Sequence, residues 1–176
     1  MNDLLGYFTG VFLSVAPIQQ PVDVTPGQAD EYYRIQTKCM ADNVYHEARG
    51  QGTAGQLAVI AVTMNRVQDT RFPNTVCGVV KQGPHKPSWK GTGEMIPVRH
   101  RCQFSWYCDG KSDDANDTET YDNIYMLSDL VLSGEIELID LTDGATHYHA
   151  DYVSPAWAST KTKTIEIEDH IFYRWD

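Results

Sequence analysis

A chain of 176 residues fits one domain, and it is long enough to bury a core without relying on metal or disulfides. Apolar residues make up 41% and charged residues 22%, which excludes disordered and collagen-like chains. The formal net charge of −10, from 24 acidic against 14 basic residues, argues against a nucleic-acid binder, which needs a basic footprint. It argues equally against steering to anionic lipid. Any anionic polymer must be held by a shaped cleft rather than by long-range attraction.

Leu4 to Ala16 is mostly apolar but too short to span a bilayer comfortably. It also lacks the basic flank of a signal peptide, because the first basic residue is Arg34. Residues 1–27 therefore read as a leader and linker, with a degenerate export signal as the alternative. No stable membrane insertion is expected. Residues 17–27 carry three prolines and a glycine, which stop regular structure.

The first helix has a clear start. Thr25 is a candidate N-cap, Pro26 suits the first helical position and Gln28 completes a capping box. The helix should run to about Glu47 or Ala48, with Ile35, Cys39, Met40, Val44 and Ala48 facing the core. Gly50 and Gly52 then end it. A second helix begins at Thr53, with Gln56 three residues on. Its Leu57, Val59, Ile60, Val62, Met64 and Val67 make it apolar nearly all round, as in a central buried helix. Phe72-Pro73-Asn74 breaks the chain, and Thr75 to Gln82 fits a short third helix.

Residues 83–101 are dense in glycine and proline and have little periodicity, so they read as a long loop of the functional or mobile kind. A polar turn covers 109–117. A fourth helix is expected over Thr118 to Ser133, closed by Gly134, with Tyr121, Ile124, Tyr125, Leu127 and Val131 at helical spacing. Ala145 to Trp157 is dense in aromatics and histidine, and Thr164 to Ile167 alternates like a short strand. The fold class is α+β, mostly helical with a minor β component.

Four cysteines are present and none forms a CxxC pair, so a zinc ribbon is a weak reading. Cys102 and Cys108 bracket a short loop and are the local pair, which leaves Cys39 with Cys77. Four reduced, buried thiols are the alternative.

Three segments carry candidate chemistry. In Tyr45-His46-Glu47-Ala48-Arg49-Gly50 a carboxylate stands at the end of a largely apolar helix. Apolar surroundings and a helix C-terminus both disfavour its charge, as a general acid near neutral pH requires. The plainer role is a surface glutamate paired with Arg49. The segment is not HExxH, because position 50 is glycine. In Cys102 to Gly110, Gln103 and Ser105 stand beside three aromatics, a composition suited to sugar rings; a stapled hairpin with core aromatics is the alternative. In Thr146-His147-Tyr148-His149, alternation puts His147 and His149 on one side of an extended segment. With His46, His85 or Asp109 they offer a zinc set, although groups that shape a cleft are the better reading. No GxSxG elbow is present.

The ordered blocks NVYHEARGQGTAGQLAVIAVTMNRV, FPNTVCGVV, CQFSWYCDGKSD, ATHYHADYVSPAWA and EDHIFYR resemble the SleB-type cell-wall hydrolases. The resemblance covers roughly residues 36–175. It implies a lysozyme-like catalytic domain, placed here at 28–176, similar to family 1 lytic transglycosylases. It also implies that Glu47, in the EARG block, is the catalytic acid/base. The expected substrate is the peptidoglycan glycan strand, cut between N-acetylmuramic acid and N-acetylglucosamine at the bacterial cell wall. No cofactor or metal is expected, and the protein is expected to act as a monomer. Gln56, Gln103, Ser105, His147 and Tyr148 are the candidate cleft contacts, with capping as the other role for Gln56. The acidic composition favours a phage or phage-like origin. The rival readings are a zinc-dependent amidase or peptidase acting on the peptide stems, and a glycan-binding virion module without catalysis.

Overall fold

The computed structural model describes Ile18 and residues 24–175. The leader expected over Leu4 to Ala16 lies outside the described residues. Helix α1 spans Pro26–Ala48, α2 Thr53–Gln68, α3 Val76–Val80 and α4 Thr118–Ser133. Strands β1 (His85–Pro87) and β2 (Met95–Pro97) form an antiparallel ribbon, and β3 (His147–Ala150), β4 (Thr162–Ile167) and β5 (His170–Arg174) form an antiparallel sheet in the order β3-β5-β4. Two 3-10 turns, Ser105–Cys108 and Ala156–Thr160, complete the architecture. The fold is α+β in a single domain, as the sequence pattern implies.

Helix α1 begins as its sequence dictates, with Pro26 at the first position and a reciprocal Thr25–Gln28 capping box. Its burial starts at Gln36 and runs through Cys39, Met40, Val44 and Ala48. Ile35 departs from the expected apolar stripe and is 45% exposed. Periodicity defines which side of a helix is apolar, but it does not say how far along that side neighbours extend. The core forms where α1 meets α2, α3 and α4, around Met40, Val44, Ile60, Met64, Val76 and Ile124. Truncating one of these large side chains to alanine costs about 2–5 kcal/mol, because the cavity fills only partly.

The turn between α1 and α2 differs from the expected glycine stop. Neither Gly50 nor Gly52 adopts a left-handed conformation. Gly52 is instead the N-cap of α2. Its N–H donates to Glu168 Oε2 at 2.8 Å, and the N–H of Gly55 donates to Oε1 at 3.2 Å. A carboxylate borrowed from the C-terminal sheet thus caps α2, where the helix dipole favours negative charge. Gln56 takes no part in a capping box; its Nε2 donates to the carbonyl of Gln51 at 3.3 Å.

Residues 83–101 are not a structureless loop. They fold into the β1–β2 ribbon, whose three-residue strands are too short to leave a periodic signature in the sequence. The two disulfides join Cys39 to Cys77 and Cys102 to Cys108. The first ties α1 to α3, and the second staples the segment that carries the first 3-10 turn. Gly134 closes α4 with φ of 78°, the left-handed cap that glycine supplies.

Candidate active site

Glu47 is the penultimate residue of α1, where the helix reaches the C-terminal sheet. It lines a cleft of about 490 Å³ together with Arg66, Gln103, Trp106, Tyr148 and His170. Tyr148 comes from β3, and its hydroxyl donates to Glu47 Oε2 at 2.8 Å. Strand alternation explains the aim. Tyr148 sits opposite Phe172 in the β3–β5 register and points toward α1 and α2, while His147 points to the other face and His149 also borders the cleft.

Burial raises the pKa of Glu47 above the ordinary carboxylate value, and the Tyr148 hydrogen bond and the Arg66 charge only partly oppose it. Arg49 makes no ion pair with Glu47. Its guanidinium lies 5.2 Å from the centre of the Tyr45 ring and reaches the Tyr45 carbonyl at 3.4 Å. The plain reading of a surface pair is therefore replaced by a shielded carboxyl with one hydroxyl donor.

Arg66, on α2, is buried on the same wall. Its Nε donates to the Thr146 carbonyl at 2.7 Å, and its guanidinium lies 5.0 Å from the Phe104 ring centre and 5.4 Å from that of Phe72. Its Nη1 has no hydrogen-bond partner. A buried cation held by aromatics and a carbonyl, without a bonded carboxylate, acts on Glu47 as a field rather than as a salt bridge.

His170, on β5, is buried beside Tyr148 with ring centroids 4.7 Å apart. The Gln51 side-chain amide lies 3.1 Å from its Nδ1. Burial lowers the pKa of His170, against the opposing charges of Asp169, Asp151 and Glu168. Gly55 makes room for this arrangement: a Cβ there would lie 2.1 Å from Gln51 Oε1. Sequence reasoning does not single out His170, since a lone histidine in a short strand carries no spacing signal. The EDHIFYR block is its only trace.

The other wall comes from the stapled segment. His46 stacks on Trp106 with centroids 4.5 Å apart and planes 17° apart, and its Nε2 lies 3.2 Å from the Asp113 carbonyl oxygen. Trp106 Nε1 donates to Asn43 Oδ1 at 3.0 Å, and Asn43 Nδ2 donates to Thr63 Oγ1 at 3.2 Å. This buried relay fixes the Trp106 ring against α1 and α2. The aromatic pair divides the cleft from a neighbouring depression of about 300 Å³ lined by Arg49, Lys111 and Asn116, and His46, Trp106 and Asp109 belong to both. A third depression, on the side of Gln51 and Asp169, shares Glu47 and His170. The site is thus a group of three adjoining depressions, two of which Glu47 lines.

Of the sequence candidates, Glu47, Gln103, Ser105 and Tyr148 meet in the cleft. Gln56 does not line it. His147 lies on the opposite face of β3, stacked on Trp175 at 5.5 Å, where burial and neighbouring cations push its pKa down to about 4. His149 Nε2 pairs with the Tyr173 hydroxyl at 3.0 Å. Among the described residues, no three His, Cys, Asp or Glu side chains converge to hold a metal ion. The zinc set proposed from His46, His85, Asp109, His147 and His149 therefore does not assemble. Asp109 lines the rim of the cleft, but its Oδ1 accepts the N–H of Lys111 at 2.8 Å in a turn, which lowers its pKa.

The family model described as Cell Wall Hydrolase matches residues 50–173, beginning just after Glu47. A spore cortex-lytic enzyme of Bacillus cereus is 49% identical over 49 residues, which is 28% of this chain and 19% of that protein. The chain thus aligns with about a fifth of the length of the curated relatives it matches. The catalytic domain of SleB from Bacillus cereus is 29% identical with a TM-score of 0.51, covering 81% of this chain and 90% of that one. The catalytic domain of the germination-specific lytic transglycosylase SleB from Bacillus anthracis is 28% identical with a TM-score of 0.54, covering 88% and 99%. These relatives are bacterial spore proteins, so they lend no support to a phage origin. No described helix is long and apolar enough to cross a membrane. With a family match over most of its length and the fold of the SleB catalytic domains, this chain belongs to the cell wall hydrolase family.

Proposed function

We propose that the protein cleaves peptidoglycan glycan strands between N-acetylmuramic acid and N-acetylglucosamine as a lytic transglycosylase, with Glu47 as general acid and then general base. The observation that carries the reading is the pairing of Glu47 with Tyr148 inside a cleft where burial raises the pKa of the carboxyl. A protonated carboxyl at neutral pH is what leaving-group protonation needs. The likeness to a germination-specific lytic transglycosylase domain points the same way.

In this mechanism Glu47 gives its proton to the bridging oxygen as the C1–O bond breaks. The carbonyl oxygen of the substrate's own acetamido group shares the positive charge at C1. The Glu47 carboxylate, stabilised by the Tyr148 hydroxyl and by the Arg66 charge, then takes the proton of the C6 hydroxyl. The C6 oxygen bonds to C1 and leaves a 1,6-anhydro end. A path through two carboxylates would turn to Asp109, which also lines the cleft, as its second acid. The three contiguous depressions suit a polymer of several sugars, with the His46–Trp106 stack as a flat apolar surface beside the cleavage point. Gln103 and Ser105 supply amide and hydroxyl contacts to sugar edges. The catalytic unit is placed at residues 28–176, acting as a monomer at the cell wall without a cofactor.

The test is mass spectrometry of purified peptidoglycan digested with the wild type and with Glu47→Gln. Anhydro-muropeptides from the wild type alone support the reading. Reducing ends from the wild type move the reaction to hydrolysis and the search to a second carboxylate. Freed peptide stems, or turnover by Glu47→Gln, overturn it.

A further inference from the structure

The β1–β2 ribbon is an arm with little of its own to bury. All three residues of β1 are exposed, and at its tip Trp89 is 87% exposed and Met95 54%. A tryptophan so placed gives up the burial that ordinarily stabilises it. The arm is nevertheless built with care. The N–H of Ser88 donates to the Glu94 carbonyl at 2.7 Å, and Gly91 and Gly93 turn the tip with φ of 66° and 76°.

Charge sets the arm apart from the rest of the chain. Residues 83–101 hold Lys86, Lys90, Arg99 and Arg101 against Glu94 as the one acid, in a protein of net charge −10. None of these four cations joins an ion pair among the described residues, whereas Arg34, Lys38, Arg71, Lys111, Lys163 and Arg174 each do. Lys86 and Lys90, which flank the bare Trp89 in sequence, form with it a surface complementary to an anionic, sugar-bearing polymer.

The arm is continuous with the cleft. Its feet are bonded to the segment that supplies Gln103, Ser105 and Trp106. The Val98 N–H donates to the Pro84 carbonyl at 2.8 Å, Gln103 to Gln82 at 2.9 Å and His100 to Cys108 at 3.0 Å. Gly83 is part of this foot, because a Cβ there would come within 3.1 Å of the Cys102 backbone. His85 faces Tyr107, the neighbour of Trp106, at 6.5 Å.

Resting on the peptidoglycan reading above, we propose that the β1–β2 arm is a second, non-catalytic contact for the glycan polymer: Trp89 lies on a sugar face while Lys86 and Lys90 meet the carboxylates of the peptide stems. The arm offers a polymer substrate an attachment point away from Glu47, which matters for a protein whose net charge repels its substrate. A lipid bilayer is the less favoured partner. The arm shows it only Trp89 and Met95 as large apolar groups, and the arm's root lies in the wall of the cleft.

The experiment compares the wild type with the triple variant Lys86→Gln, Trp89→Ala, Lys90→Gln. Co-sedimentation uses purified sacculi stripped of phosphate polymers, and turnover uses short soluble glycan fragments. The expected result is at least a tenfold weaker affinity for sacculi, with unchanged turnover of the soluble fragments and an unchanged melting temperature. Restoring an aromatic by Trp89→Tyr, with both lysines kept, should return most of the binding. Equal sedimentation of wild type and triple variant overturns the proposal. So does wild-type binding that disappears when phosphate polymers are stripped. Retention on phosphatidylglycerol-containing vesicles that the triple variant loses, without a loss on sacculi, assigns the arm to a bilayer instead. If neither protein turns over soluble fragments, the functional reading fails while sedimentation still decides the role of the arm.

Discussion

The Tyr148 hydroxyl donates to Glu47 Oε2 at 2.8 Å, joining residues 101 positions apart in the chain. The bond opposes the effect of burial on Glu47, because it stabilises the carboxylate. Tyr148→Phe should therefore raise the pKa of Glu47 further. Activity that needs protonated Glu47 falls as pH rises through that pKa, so the descending limb of kcat/KM should move to higher pH. Loss of a charge-assisted hydrogen bond worth about 1.5–3 kcal/mol should lower kcat about 10- to 100-fold. A pH–rate profile superimposable on the wild type would remove Tyr148 from the mechanism.

Glu47→Gln should abolish turnover and stabilise the fold. The folded-state pKa of Glu47 lies above its unfolded value, so the folded protein holds this proton more tightly. The contribution to stability is full below the unfolded pKa and is lost as pH rises through the folded one. At neutral pH the raised pKa therefore makes the wild type less stable than in acid, a loss the neutral amide avoids while still accepting from Tyr148. Thermal unfolding at pH 7 should show a higher melting temperature for the variant, with the gap closing toward pH 4. A lower melting temperature at pH 7 would show that the Arg66 charge outweighs burial.

Gly55→Ala tests the support of His170. Alanine is the better helix former by about 1 kcal/mol, yet its methyl would collide with the Gln51 amide that holds the imidazole. The expected result is lower activity, with the helix-propensity gain offset by a clash that reaches Gln51 Cβ at 2.9 Å. His170→Gln, which keeps a polar amide in the cleft, should retain more activity than His170→Ala. Equal activity of the two His170 variants would limit that residue to packing against Tyr148.

The disulfides should separate stability from activity. Cys39 and Cys77 are 38 residues apart and join α1 to α3, so opening this link should cost about 4 kcal/mol by loop entropy. Cys102 and Cys108 are 6 residues apart, for which the same relation gives about 2 kcal/mol. That second link, however, braces Trp106 and the foot of the arm. Chemical denaturation should show the larger loss for Cys39→Ala/Cys77→Ala, and activity assays the larger loss for Cys102→Ala/Cys108→Ala.

The helices were legible because their signals are local and repeated. Thr25, Pro26 and Gln28 mark the start of α1, and Gly134 the end of α4. The arm was not legible, since strands of three residues carry no periodicity. His147 and Tyr148 show the same limit at the site. Alternation says that neighbours in a strand face opposite ways, but not which face meets Glu47. His147 was therefore as good a candidate as Tyr148 until the sheet was placed.

Sequence alone determined the α+β class, the four helices and the candidacy of Glu47, because capping, periodicity and an ordered set of blocks are properties of neighbouring residues. Tertiary structure decided the environment of Glu47. Its hydroxyl donor comes from β3, its counter-charge from α2, its buried histidine neighbour from β5, and the Trp106 stack from a disulfide-stapled turn. The state of a carboxyl depends on desolvation and nearby dipoles, which act through space and fall off over a few ångströms. Only packing brings those groups within that distance.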